Sequence, residues 1–203
     1  MFGRYRFIPI LIAATLIFSF ASTLLYYYTD WLFFIETGYT SVFTTRLTAG
    51  IGAGLLFGIP TALFALVNLL VVNRFPIPSM GVFIPGAGLR IGREEAVRLA
   101  RPLAIVASVA LALLAGKWGA AGWEDVLLFT NRVNVGTLDP VNGKDIGFYL
   151  FSLPFLEMLT ACAGLTLPVV MVMVGLLYWL RGAITLSERG IAVDMRVRRH
   201  LAV

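Results

Sequence analysis

From Leu47 to Val72 the chain runs without a single charged residue, and that run decides most of what can follow. A helix crosses the hydrocarbon core of a bilayer in about 20 apolar residues. Three further runs come near or exceed that length. They are Phe7–Tyr28, Leu153–Leu180 and the shorter Pro102–Gly116, which borrows Leu99, Ala100 and Trp118 at its ends. The expectation is an all-α, polytopic membrane protein of about four transmembrane helices, near 7–28, 47–72, 100–118 and 153–180. A loop over 73–101 then lies on one side, and loops over 29–46 and 117–152 lie on the other. Residues 1–203 form one helical membrane domain in this reading.

Composition supports it. The chain is 59% hydrophobic and 13% charged, with a mean hydropathy of +0.88, whereas a soluble domain carries about 25% charged residues. The net charge of +5 does not argue for nucleic acid, because the bases flank apolar runs instead of lining one basic face. One cysteine, Cys162, and one histidine, His200, exclude an internal disulfide and a cysteine metal cluster. They also exclude bis-histidine haem, a histidine-rich zinc site and a Ser-His-Asp triad within this chain. No cofactor and no catalytic set is expected.

Arginine and lysine orient the helices. With a cytoplasmic N-terminus, four crossings put Met1–Arg6, Asn73–Arg101 and Arg181–Val203 inside, and those pieces hold twelve of the sixteen bases. Only Arg46, Lys117, Arg132 and Lys144 remain outside, among seven acids. Cytoplasmic loops carry the excess of bases, so both termini are expected in the cytoplasm. The first run could pass for a signal peptide, with a basic start and Ser19-Phe20-Ala21 as a cleavage site. It continues to Tyr26-Tyr27-Tyr28, too long for such a segment, and reads as an uncleaved anchor.

The second run carries Gly50, Gly54 and Gly58 at four-residue spacing, the small-xxx-small pattern that lets membrane helices approach closely. The third run, with Ala100, Ala104, Ala107, Ala110 and Ala115, is the expected partner, and Pro60 is expected to kink the second helix. "TDWLFFIETGYTSVF" and "WEDVLLFTNR" read as short interfacial helices, with aromatic residues at headgroup depth. In the loop over 73–101, prolines and glycines forbid a long helix near its start. Arg90, Arg93, Arg98 and Arg101 are candidate contacts for anionic headgroups.

The segment "LDPVNGKDIGFYLFSLPF" (Leu138–Phe155) is the densest in polar and aromatic residues. Asp139-Pro140 and Asn142-Gly143 signal turns. Ser152 is placed to cap the fourth helix, Pro154 suits its first turn, and Phe148, Tyr149 and Phe151 form an aromatic collar. Asp139, Asn142 and Asp145 offer too few oxygens, at the wrong spacing, for calcium. Arg132 and Lys144 are expected to pair with Asp139 and Asp145 and tie the loop down as a membrane re-entry collar.

"YTDWLFFIETGYTSVFTTRL" and "LLFTNRVNVGTLDPVNGKDIGFYLFSLPFLEML" together resemble the N-terminal membrane region of uncharacterised protein family 0182, found in bacteria. The resemblance falls on Asp30, Trp31, Gly38, Tyr39, Asp139, Pro140, Gly143, Lys144, Asp145, Phe148, Tyr149, Phe151, Pro154 and Phe155, with Arg132 beside them. It implies about seven membrane helices followed by a large extracytoplasmic domain, and an architecture but no reaction. The tail "ERGIAVDMRVRRHLAV" resembles the approach to a fifth family helix, so the chain reads as a short form or a truncation, with both open.

The functional expectation is a non-catalytic scaffold subunit in the bacterial cytoplasmic membrane. Its partners would be membrane lipids and other membrane subunits or copies of itself, and not nucleic acid. The deepest polar side chains are only Asn68, Ser108, Thr160 and Thr166, and transport or proton relay usually needs intramembrane charge. A transporter or lipid-handling protein is the alternative, resting on Pro60, Pro168 and the arginine-rich loop.

Overall fold

A computed structural model describes residues 7–76, 82–84, 89–181, 183–187 and 190–201. The expected N-terminal basic start, the centre of the loop over 73–101 and the side chain of Arg90 lie outside the described residues. The architecture is helical: α1 (Phe7–Glu36), α2 (Thr40–Val72), α3 (Arg93–Ala121), α4 (Trp123–Thr130), α5 (Leu153–Leu180) and α6 (Met195–Leu201). Two short antiparallel hairpins accompany them. β1 (Val82–Ile84) pairs with β2 (Leu89–Ile91), and β3 (Ile184–Ser187) with β4 (Gly190–Val193). Among the described residues, three helical segments are long and apolar enough to cross a membrane: Thr40–Val72, Arg93–Ala121 and Phe148–Leu180. The chain divides into two compact units, Met1–Thr48 and Ala49–Val203.

In the first unit, "TDWLFFIETGYTSVF" is not a separate interfacial helix. Its first half continues α1 to Glu36, and α2 begins at Thr40, well before the expected Leu47. The joint is a Schellman turn: the Tyr39 N–H donates to Phe34 O at 2.9 Å and the Gly38 N–H to Ile35 O at 3.2 Å. Gly38 sits at φ +76°, a conformation that disfavours any Cβ, which is why glycine occupies that position. Beyond the turn, the Arg46 guanidinium meets the Asp30 carboxylate at 3.2 Å and donates to the Tyr26 hydroxyl at 3.4 Å. Phe34 packs near Phe43, with ring centroids 5.9 Å apart.

The second unit is built on a close crossing of α2 and α3. A Cβ added to Gly58 would stand 2.9 Å from the Ala112 carbonyl oxygen, and one on Gly54 would stand 3.1 Å from that of Gly116. Reciprocally, a Cβ on Gly119 would meet Ala53 O at 2.8 Å and the Phe57 ring at 2.7 Å. The facing positions are therefore Ala112, Gly116, Gly119 and Ala120. Ala104 and Ala107 instead belong to the core near the start of α3, and Ala110 is exposed. That core joins Ala65, Leu69 and Val72 of α2, Ala104 of α3, Val170, Val174 and Tyr178 of α5, and Val197 of α6.

Polar side chains inside these apolar helices satisfy themselves. Ser108 donates to Ala104 O at 2.8 Å, Thr160 to Leu156 O at 3.0 Å and Asn68 to Phe64 O at 2.8 Å. An unpaired polar group in hydrocarbon would cost several kcal/mol. No buried side-chain nitrogen or oxygen among the described residues lacks a partner.

The fourth expected helix starts differently from the capped helix anticipated. Ser152 makes no capping bond. A π-helical turn, Phe148–Ser152, precedes α5, and the Leu153 N–H donates to Phe148 O. Pro154 has no N–H to donate to Leu150 and its ring crowds that carbonyl, so the ladder widens by one residue just before it.

The glycine crossing makes a direct prediction. Gly58→Val should destabilise the protein in detergent by about 1–3 kcal/mol through overpacking. Gly52→Ala, where an added Cβ meets nothing within 4 Å, should stay within about 0.5 kcal/mol. Thermal or denaturant unfolding followed by circular dichroism reads both.

Candidate functional site

Two polar clusters gather the chemistry of the second unit, one at each end of α3. The first is the loop between α4 and α5. Asp139 forms an Asx turn, its carboxylate accepting from the backbone N–H of Asn142 at 2.9 Å and of Val141 at 3.3 Å. The Tyr149 hydroxyl donates to the same carboxylate at 3.1 Å, and the Asn142 amide donates to that hydroxyl at 3.0 Å. Asp145 accepts three backbone N–H groups, from Gly147 at 2.6 Å, Gly136 at 2.8 Å and Val135 at 3.0 Å. The strand-like pairing of Leu138 with Asp145, and the Asp139 N–H to Lys144 O bond at 2.8 Å, close the reversal between them. Gly143 sits at φ +64° and Gly136 at φ +80°.

The expected ion pairs are absent. Arg132 lies over the Phe129 ring at 4.7 Å and donates to Phe129 O at 3.1 Å, while the Lys144 ammonium lies over the Phe148 ring at 4.1 Å. Arg46–Asp30 is the one ion pair among the described residues. Backbone donors win because they are held in place by the turn. A flexible base in an exposed loop gains only about 0–1 kcal/mol from a carboxylate and loses side-chain entropy in doing so. The Asn142 and Val141 amides hold the Asp139 carboxyl below its ordinary 3.8, and the Val135 amide, with Gly147 and Gly136, does the same for Asp145.

Gly147 is the residue of this loop that the sequence reading missed. A Cβ there would collide with Val133 O, so the turn into the π-helix closes only with glycine. Behind the loop Phe155 stacks on Phe129 at 4.3 Å, and its ring lies 6.5 Å from Phe57, which meets Trp118 edge-on at 5.5 Å. Pro140 sits in the Asx turn, while Trp31 lies 6.1 Å from Tyr28 in the first unit. An open cleft of about 290 Å³ between Arg132, Asn134, Asp145 and Ser152 adjoins the loop.

The second cluster was not anticipated from the sequence. Arg181, one residue past α5, donates to Phe75 O and to Asn73 Oδ1, the latter at 2.6 Å, and Asn73 Nδ2 donates to Ala100 O at 3.2 Å. Two side chains, Arg181 and Asn73, thus tie the ends of α2 and α5 to the first turns of α3. Beside it, His200 bridges the Tyr178 hydroxyl at Nδ1 (2.7 Å) and Asn68 Oδ1 at Nε2 (3.0 Å). Asn68 uses its amide nitrogen on Phe64 O, so its oxygen must accept from Nε2–H. When the ring is neutral it is therefore the Nε2–H tautomer, and Nδ1 accepts from the Tyr178 hydroxyl. Tyr178 also packs edge-on against Phe75 at 4.9 Å. Burial lowers the His200 pKa below its ordinary 6.5 and lowers that of Arg181. The separation of 132 residues between His200 and Asn68 hid this contact from local patterns.

Each cluster carries a test. Asp145→Ala should raise the hydrogen-exchange rates of the Val135, Gly136 and Gly147 amides, whereas Lys144→Gln should leave them unchanged. For His200, the unfolded or undocked state binds more protons between the lowered pKa and 6.5. Docking of α6 is therefore strongest above pH 6.5 and weakens as pH falls below it. Exchange protection over Met195–Leu201 should drop in that direction, and His200→Gln should flatten the profile.

A sequence model of the uncharacterised protein family UPF0182 matches residues 7–203. A UPF0182 protein of Geotalea uraniireducens is 56% identical over 201 residues, which is 98% of this chain and 22% of that protein. One of Geobacter sulfurreducens is 51% identical over 204 residues, covering 99% of this chain and 23% of its own length. One of Saccharopolyspora erythraea is 32% identical over 205 residues, with 98% and 21% covered. This chain thus spans about a fifth of the length of the curated relatives it matches. No solved structure matches. Matched along almost all of its length, and at up to 56% identity among these relatives, the chain belongs to the uncharacterised protein family UPF0182.

Proposed function

We propose that this chain is a non-catalytic scaffold segment of a multi-pass protein of the bacterial cytoplasmic membrane, with both ends of the segment on the cytoplasmic side. The observation that carries the reading is an uncharged, close-packed interior. No charged residue occurs over Leu47–Asn73, Pro102–Gly116 or Met158–Leu180. Gly54 and Gly58 also lie so close to α3 that an added Cβ would stand 3.1 and 2.9 Å from its carbonyl oxygens. Transporters and proton pathways usually keep ionisable groups at that depth.

The outward faces supply the surface a scaffold needs. Leu55, Ile59, Leu63 and Val67 on α2, and Val106, Leu113 and Leu114 on α3, are exposed and apolar, suited to lipid or to neighbouring helices. The excess of bases at the ends read as cytoplasmic supports the orientation.

Native mass spectrometry of the protein extracted from its source membrane in mild detergent is the test. Other membrane proteins, or further copies, at fixed stoichiometry are expected. A lone chain that stays monomeric and carries one defined lipid would overturn the scaffold reading in favour of lipid handling.

A further inference from the structure

Docking of α6 changes the charge of one end of the bundle. Val197 is fully buried in the core with Val72, Ala104 and Tyr178, which leaves Arg196, Arg198 and Arg199 exposed around it. At the same end lie Arg74, just past α2, and Arg98 and Arg101 on the first turns of α3, all exposed. The shared position follows from the Asn73–Ala100 bond and from Ala104 packing in the core that takes Val197. The six arginines thus come from three elements, and Arg74 and Arg101 lie just outside the charge-free stretches of α2 and α3.

Among the described residues none of the six is paired with a carboxylate. Among the described residues, the acids at this end are Glu94 and Glu95, both exposed, and Asp194, whose carboxylate accepts the backbone N–H of Arg196 at 2.8 Å. Arg181 points inward onto Asn73 and Phe75 and is not available. Beside Arg98 and Arg101, α3 also exposes Val97, Leu99, Leu103 and Val106. A ligand that carries acyl chains next to its phosphate would use both faces, whereas a free anion would use only one.

We propose that this arginine collar is a binding surface for anionic phospholipid headgroups, completed only when α6 is docked. The phosphodiester lies among the arginines and the acyl chains lie along the exposed apolar face of α3. The collar extends the headgroup contacts expected of Arg98 and Arg101 to α6, a segment about a hundred residues away in sequence. It does not depend on partner subunits.

The test uses the full chain in mild detergent, with native mass spectrometry of lipid retention during titration with phosphatidylglycerol or phosphatidylcholine of identical acyl chains. Phosphatidylglycerol should be retained at least tenfold better at low salt, and the preference should fall as salt rises. Each arginine near a membrane surface contributes about a fivefold factor, so R98Q/R101Q and R196Q/R198Q/R199Q should each cut the preference at least tenfold. Val197→Ser, which keeps all six charges but loosens α6, should cut it as the α6 triple variant does. R132Q/K144Q, at the far end of α3, should leave it unchanged. Equal retention of the two lipids would overturn the proposal, as would a preference indifferent to either arginine set. Displacement of the lipid by inorganic phosphate at matched ionic strength would also overturn it, since that marks a free-anion site. If Val197→Ser does not fold, the two arginine sets decide alone.

Discussion

The second unit depends on how closely α2 and α3 can approach. Within hydrocarbon there is little hydrophobic gain in pressing two helices together, because lipid is as apolar as leucine. Dispersion between well-fitted surfaces must supply the attraction instead. Glycine at 54, 58, 116 and 119 removes the side chains that would hold the backbones apart, and the contacts there run from backbone to backbone. A crossing that tight fixes where Phe57 and Trp118 meet and where Phe155 can reach them. It also brings Leu69, Ala104 and Val174 into one core at the opposite end.

With the crossing fixed, the two ends are closed by different chemistry. Beyond α4 the closure is made by carboxylates, and their partners are backbone amides and a tyrosine hydroxyl. At the other end it is made by Arg181, which donates to the Phe75 carbonyl and the Asn73 side-chain oxygen just past α2, and by His200, which donates to the Asn68 side-chain oxygen. Both ends follow one requirement, that polar groups beside an apolar layer find partners within the chain. The end that holds α6 also turns a layer of exposed arginines outward.

The long helical segments were legible in the sequence, because apolar runs of this length leave few alternatives. The four-residue glycine spacing also stood out, although the facing residues were Ala112, Gly116, Gly119 and Ala120 and not the more conspicuous alanines nearby. The joint at Gly38 was obscured because the aromatic residues on either side look interfacial, yet a Schellman turn lets two helices meet without a loop. In the loop before α5, opposite charges close in sequence suggested ion pairs, but turn geometry delivered backbone donors to the carboxylates first. Ser152 looked like a cap until Pro154 displaced the helix ladder behind it. His200 gave no local sign of its role, since its partners come from two other helices.

Burial of Val197 in the core docks α6 and closes one end of the second unit. Cross-linking in the native membrane tests it most directly. On a Cys162→Ser background, cysteines replace Asn68 and His200, whose side chains meet at 3.0 Å, and a short bis-maleimide is added. An intramolecular cross-link between these positions, with none between cysteines replacing Arg132 and His200, is the result predicted. No cross-link at Asn68 and His200, with both cysteines freely labelled by a single maleimide, would contradict it.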